Sequence, residues 1–221
     1  MVADLTEKGL PLADIGTDHG YLPVSLIQQG RIEKAFLTDI NRGPLENALE
    51  TVEMCGLRDK VTLILCNGMD SPELSECRNF SICGMGGNLI SDIISEIPFP
   101  LEKGTAFALQ PMSHEEDLRE TLSLKGFKII RENLVKDSGR LYLGIKAVYT
   151  GEPFTPTPGY CMTGELPKSD KEELKKIYFG RKLRACRKRC GALEGLSEKS
   201  ESTLKEIEKL QGLIDLLENL D

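Results

Sequence analysis

Five short apolar runs punctuate the first half of the chain, at 11–16 (PLADIG), 35–40 (AFLTDI), 61–67 (VTLILCN), 80–84 (FSICG) and 105–111 (TAFALQP), each ending in or followed by glycine, asparagine or proline. Runs this short, with little polar alternation, suit strands covered on both faces. Between them, residues 20–29, 44–55, 87–96 and 114–125 carry helix patterns, and Pro44 suits a first helical position. Strict alternation of strand and helix leaves few topologies. Short right-handed crossovers place such strands in one parallel, doubly wound α/β sheet, with ligands at the carboxyl ends of the strands.

The pattern changes after Gly126. FKIIRENLVKD and GRLYLGIKAVYT read as two β-rich runs joined by Asp137-Ser138-Gly139-Arg140, a sequence suited to a tight turn. Five β/α units closed by an antiparallel hairpin is the layout of a seven-stranded, Rossmann-like class I methyltransferase sheet. A dinucleotide dehydrogenase would continue with further βα units. Residues 151–168 then hold four prolines and three glycines, which interrupt helix and strand alike. The expected organisation is a methyltransferase-type domain at 1–155, a linker at 156–168 and an antiparallel helical coiled coil at 169–221. Ser169 and Glu172 are spaced as a capping box for a helix reaching about Gly191. A second helix at 197–220 carries Leu204, Ile207, Leu210, Ile214 and Leu217 at 3/4 spacing, and a turn at 191–195 lets the two pair.

The 221 residues suffice for one α/β domain of about 150 residues plus an attachment of about 60. No apolar run approaches the roughly 20 residues that span a bilayer, and MVADLTEKGL is acidic where a signal peptide is basic, so the chain is expected to be cytoplasmic. Seven cysteines, an odd number and several inside apolar runs, read as buried thiols. Cys186 and Cys190 are four apart, but no second Cys/His pair follows, so no metal is expected. A net charge of −7 argues against nucleic acid until the chain is divided. Residues 1–165 hold 15 basic and 24 acidic side chains, a balance of −9, whereas 166–221 hold 13 and 11, a balance of +2. Within the latter, KKIYFGRKLRACRKRC (175–190) has eight basic residues and no acidic one. That patch can hold a polyanion, or else form a solvated helix face.

The most informative segment is ADIGTDHGYLP (13–23), which ends the first run. Gly16 lets the backbone approach a ligand, Gly20 opens the following helix, and Asp14 can accept from a cationic group. A dinucleotide fold would place G-x-G-x-x-G here to meet a pyrophosphate. Acidic Asp14 and Asp18 flank Gly16 instead, which suits S-adenosyl-L-methionine, a ligand with an ammonium and a sulfonium but no phosphate. The alternatives are a nicotinamide cofactor and a glycine-rich βα turn that binds nothing. Asp39, 25 residues after Asp14, stands where an acid grips both ribose hydroxyls, unless it only caps the next helix. Asn67 and Gly68 could frame the adenine, with Met69 packed on its face. CGMGG (83–87) makes room where many base-modifying enzymes place Asn/Asp-Pro-Pro-aromatic, and Gln110 ends the fifth run facing the same pocket. His19 lies inside the first motif, and no Ser-His-Asp or Cys-His pair has hydrolase-like spacing.

Taken together, ADIGTDHGYLP, CGMGG, LQP and EDLRETLSLKGFKI resemble the bacterial tRNA (adenine-22-N1)-methyltransferase family over nearly the whole chain. The resemblance implies a seven-stranded methyltransferase core with a C-terminal coiled coil, S-adenosyl-L-methionine as donor, and N1 of a D-arm adenine as acceptor. It maps Asp14, Gly16, Asp18, His19 and Tyr21 onto the first motif, Gly84, Met85, Gly86 and Gly87 onto the fourth-strand motif, and Gln110 with Pro111 onto the fifth. Cofactor contacts are thus expected from Asp14, Gly16, His19, Tyr21, Asp39, Ile40, Asn67, Gly68 and Met69. Catalytic contacts are expected from Asp18, Gly84, Met85, Gly86 and Gln110. Lys182, Arg184, Arg187, Lys188 and Arg189 would track tRNA phosphates. Two departures stand out. Thr38-Asp39-Ile40 replaces the family's Gly-Glu-Val type of sequence, shortening the ribose grip, and the family's early Leu-Ser-x-Arg-Leu helix does not precede Val2. With that helix absent, a binding module without catalysis is the alternative. The chain is expected to act as a monomer or weak dimer, with tRNA as partner and no membrane contact.

Overall fold

The computed structural model describes residues 1–220. The chain alternates β1 (Leu12–Ile15), α1 (Tyr21–Gln28), β2 (Ala35–Asp39), α2 (Arg42–Met54), β3 (Val61–Leu65), β4 (Asn79–Met85), α3 (Gly87–Ser95), β5 (Ala106–Pro111) and α4 (Glu115–Leu124). The hairpin β6 (Phe127–Asp137) and β7 (Arg140–Tyr149) follows, then α5 (Pro158–Thr163), α6 (Glu172–Glu194) and α7 (Glu201–Glu218). The expected strands and the first four helices all form, with ends within about two residues of those read from the sequence.

The sheet has seven strands in the order β3-β2-β1-β4-β5-β7-β6. β1 pairs in parallel with β2 (Leu12 beside Ala35) and with β4 (Ala13 beside Phe80), whereas β7 runs antiparallel to β5 and β6. The order reverses between β1 and β4, where crossovers leave the sheet in opposite directions and open a crevice at the strand ends. Leu12, Leu37, Ala48 and Val52 form the core beneath α1 and α2. The larger core runs from Phe80 and Phe107 through Phe127 to Tyr178, Phe179, Leu213 and Leu217, so α6 and α7 share one apolar interior with the sheet. Stacked Phe80 and Phe107, and Phe127 edge-on to Phe107, form its centre.

The C-terminal third departs from expectation in three places. Ser169 does not cap α6: it ends a 3-10 turn at Leu166–Lys168, its hydroxyl accepts from Lys171 N, and the helix begins only at Glu172. The turn also lies later than 191–195. Gly191 is helical, its carbonyl accepts from Gly195 N at 3.1 Å, and α7 starts at Glu201 with Ser200 capping Thr203 N. Lastly, 156–168 is packed, with Met162 and Leu166 buried. Here Arg119, fully buried, binds Glu132 at 2.8 Å, the Cys161 and Met162 carbonyls at 2.8 and 3.1 Å, and Tyr178 Oη at 3.3 Å. Glu132 in turn accepts from Glu165 N at 2.6 Å. One ion pair thus joins α4, β6, α5 and α6.

All seven cysteines are free; Cys77, Cys186 and Cys190 are buried, whereas Cys55 is exposed. Among the described residues, no group of three or more His, Cys, Asp or Glu is placed to hold a metal ion, and no helix is long and apolar enough to cross a membrane.

Candidate active site

The β1/β4 crevice gathers the first and fourth motifs. Gly16 has φ +72°, and its amide and that of Thr17 both donate to Thr38 O, at 2.9 and 2.8 Å. This bifurcated contact ties the glycine turn to β2 and presents its backbone to the crevice. The positive φ requires glycine at 16; a Cβ there would meet only the end of the flexible Met85 side chain, which can move aside. Asp14 is buried beside it and accepts from Ser81 Oγ at 2.6 Å, while burial pushes its carboxyl above the usual range. The Thr17 hydroxyl is also buried, near the Asp14 carboxylate but without a well-formed hydrogen bond.

At the end of β2, Asp39 Oδ1 accepts from Asn41 N at 2.8 Å, which fixes the carboxylate at the mouth of the crevice. Asn41, not Asp39, occupies the cap position of α2. Ile40 next to it is 61% exposed, an apolar surface without internal cover. Asn67 is exposed and Gly68 half-buried at the end of β3. Met69 does not face a ligand: it is buried in the main core, because the turn after Gly68 points it inward. Asp18, His19 and Tyr21 line the exposed rim, with His19 Nε2 3.3 Å from Asp18 Oδ2 and its ring stacked on Tyr21 at 5.1 Å.

The glycines of the fourth motif have separate tasks, contrary to the reading that they only make room. Gly84, φ +75°, takes the irregular step between Cys83 and Met85 in the β4–β5 ladder. Gly87 donates to Ser113 O at 2.7 Å, and a Cβ there would lie 2.7 Å from that same oxygen and closer still to His114 O. A Cβ at Gly84 would meet nothing within 4 Å, whereas one at Gly86 would lie 3.3 Å from Ser113 Oγ. Gln110 is buried and fully engaged: it accepts from Gly84 N at 3.1 Å and donates to Pro111 O at 3.0 Å. Its polar atoms are spent on positioning the loop. Burial also drives the neighbouring Cys83 thiol strongly upward, so it stays protonated.

The basic face of α6 is less uniform than its sequence. Lys182 binds Glu115 and Glu116 at 2.7 and 2.6 Å, Arg187 binds Glu218 at 2.6 Å, and Arg189 binds Glu206 at 2.9 Å. Lys175 pairs with Glu172. Among the described residues, exposed Lys176, Arg181, Arg184 and Lys188 have no acidic partner. The Arg119–Glu132 pair and the unpaired Arg181 were not singled out from the sequence. A hint lay in α4, where Arg119 is flanked by the inward-facing Leu118 and Leu122.

A sheet of this order, with an acidic, glycine-bearing turn at its switch point and an antiparallel closing hairpin, defines the class I methyltransferases. Residues 1–145 match the family described as "Methyltransferase domain", and the chain belongs to it. More particularly, it is 30% identical over 141 residues to the tRNA (adenine(22)-N(1))-methyltransferase of Bacillus subtilis. That match takes in 64% of this chain and spans only 59% of the curated relative's length. The crystal structure of the B. subtilis M1A22 tRNA methyltransferase TrmK superposes with a TM-score of 0.86 at 24% identity, covering 99% of this chain and 95% of that one. Streptococcus pneumoniae Sp1610 in complex with S-adenosyl-L-methionine superposes at 0.76 with 27% identity and 96% of both chains covered. These relatives are of the family that the motifs resemble.

Proposed function

We propose that this chain is an S-adenosyl-L-methionine-dependent tRNA methyltransferase that acts on N1 of a D-arm adenine, adenine 22. The observation that carries the reading is the β1/β4 crevice, where buried Asp14, the Gly16 turn and Asp39 replace the glycine array that a pyrophosphate needs. The named relatives support the same substrate.

The residues fit the cofactor. Only the flexible Met85 side chain lies over the Gly16 backbone, Thr17 keeps a buried hydroxyl without a well-formed hydrogen bond, and Asp39 is held at the end of β2. Asp39 would bind the ribose hydroxyls, exposed Ile40 would pack on the adenine with Asn67 and Gly68 beside it, and Asp14 and Gly16 would hold the methionine end. When bound, the cofactor supplies an electrophilic methyl group on a sulfonium. Adenine N1 already carries a lone pair at neutral pH, so the chain's task is alignment more than base catalysis. Gly84, Met85 and Gly86 shape the space for the ring, and Gln110 holds that loop in place. Transfer moves the sulfonium's positive charge onto the methylated adenine, and if the exocyclic amine later gives up a proton, Asp18, whose carboxylate lies at the rim beside His19, is the candidate acceptor. Because N1 is a Watson–Crick position, a paired adenine must be unstacked before it reacts. The unpaired cations of α6 supply salt-dependent phosphate contacts.

Incubating unmodified tRNA with labelled donor, then digesting to nucleosides, tests the reading directly. One-methyladenosine is the expected product, and absence of any methylated adenosine at high enzyme would reject it. Calorimetry separates the cofactors: binding of NAD without binding of S-adenosyl-L-methionine would return the chain to the nicotinamide alternative.

A further inference from the structure

A cavity of about 480 Å³ lies between the β6–β7 turn and α6. It is large enough for a small-molecule-sized group, and nothing in the proposed chemistry has yet used it. Gln110 to Met112 form one wall; Arg140 and Tyr142 come from the hairpin, and Tyr178, Arg181 and Lys182 from α6. No residue of the Gly16 turn or of the Gly84–Gly87 loop lines it. The wall between them is bonded, because Gln110 Oε1 accepts from Gly84 N and Met112 N donates to Met85 O at 2.8 Å. The cavity therefore adjoins the transfer site without being part of it.

Its chemistry is specific. Lys182 is committed to Glu115 and Glu116, whereas Arg140 and Arg181 pair with no carboxylate among the described residues. Tyr178 is buried, its ring covered by Lys182 at 5.3 Å and its hydroxyl held by Arg119. Tyr142 is half-buried and stacks on no other ring among the described residues. An apolar ligand would desolvate two guanidinium groups without return, and a simple anion would leave the Tyr142 face unused. A nucleotide engages both, by stacking and by its phosphate.

We propose that this cavity takes a nucleotide next to the target adenine, its base on Tyr142 and its phosphate between Arg140 and Arg181. The inference rests on the tRNA methylation proposed above. An adenine drawn out of its stack leaves its neighbour's base and phosphate exposed, and a site one bonded wall away is placed to hold them. Since Arg181 belongs to α6 and Arg140 to the hairpin, substrate would be gripped by both parts of the chain at once.

Tyr142→Ala and Arg181→Ala test this, with Tyr142→Phe and Arg181→Lys as folding-neutral partners. Methylation of tRNA is measured alongside calorimetric binding of S-adenosyl-L-methionine. Tyr142→Ala is expected to raise KM for tRNA by about 5- to 150-fold, the range of one lost base stack, with Tyr142→Phe near wild type. Arg181→Ala should lower the salt slope of tRNA binding by about 0.7 to 0.9, as one lost phosphate contact does. Donor affinity should not change in either. Substrates abasic at each neighbouring position in turn complete the test: one of them should slow the wild type and leave Tyr142→Ala unaffected. Wild-type activity on tRNA, with both alanine variants within twofold of it and no abasic position coupled to Tyr142, overturns the subsite alone. A wild-type chain that binds donor but methylates no tRNA overturns the function on which it rests, and the subsite with it.

Discussion

Replacing Arg119 by alanine removes a fully buried cation and strands four acceptors: Glu132, two carbonyls of α5, and the Tyr178 hydroxyl. Glu132 would keep only the Glu165 amide as a donor, and breaking one side of a buried pair costs about 3–5 kcal/mol. That is a large share of a typical folding free energy of about 5–15 kcal/mol. At about 2–4 °C per kcal/mol for a chain of this size, the melting temperature should fall by roughly 6–20 °C. Arg119→Met combined with Glu132→Leu should recover part of the loss, since apolar residues of similar volume often replace a buried pair at little cost. It should not recover all of it, because the Cys161 and Met162 carbonyls still lack donors, at about 1–3 kcal/mol. Urea denaturation of wild type, Arg119→Met, Glu132→Leu and their double variant as a double-mutant cycle, with Arg119→Ala alongside, measures these terms, and hydrogen exchange over 158–168 should rise in Arg119→Ala. A loss below about 1 kcal/mol for Arg119→Ala, or no change in exchange there, would refute the idea that this pair fastens α5 and α6 to the sheet.

Gly87→Ala should destabilise by about 1–3 kcal/mol through contact with the Ser113 and His114 carbonyls, whereas Gly43→Ala, where a Cβ meets nothing, should change thermal stability little. On α6, Arg184→Ala with Lys188→Ala should weaken tRNA binding more than Arg187→Ala with Arg189→Ala, because the latter two already pair with Glu218 and Glu206; equal losses in a filter-binding salt series would count against this. Asp14 provides a pH test. Its folded-state pKa is raised by burial, so ionisation costs the fold nothing in acid and destabilises it progressively as pH rises above the ordinary carboxylate range. Asp14→Asn should therefore match wild type in acid, exceed it in thermal stability near neutrality, and bind S-adenosyl-L-methionine more weakly by calorimetry.

The strands were legible because each is a self-contained apolar run with its own terminator, and β/α alternation then dictated a parallel sheet. The site was legible for the same local reason: Asp14, Gly16, Asp39 and Gly84 all fall at strand ends. Non-local effects hid the rest. Strict alternation from Phe127 and Ile129 would bury Arg131 and expose Glu132, but β6 has a register shift between Ile129 and Arg131 that reverses the parity and turns Glu132 inward. Without that shift, Arg119 has no visible partner. The ion pairs that engage three of the eight basic residues were hidden likewise, since Glu115, Glu116, Glu206 and Glu218 lie 17 to 67 residues from their cations. Met69, expected to pack on an adenine, is buried in the main core because the turn after Asn67-Gly68 directs it inward, and the direction of a turn is not local information.

If the chain captures tRNA as proposed, the apolar interior that runs unbroken from Phe80 to Leu217 also sets the thermodynamic character of that capture. Helices packed into the same core as the sheet do not swing on a hinge, so on the proposed function the cradle would exist before RNA arrives and little protein ordering would accompany binding. The entropy lost then belongs mainly to the nucleic acid. Association should be governed by how easily the D-arm yields its adenine, and a tRNA already loosened there would bind tighter without a single new contact to the protein.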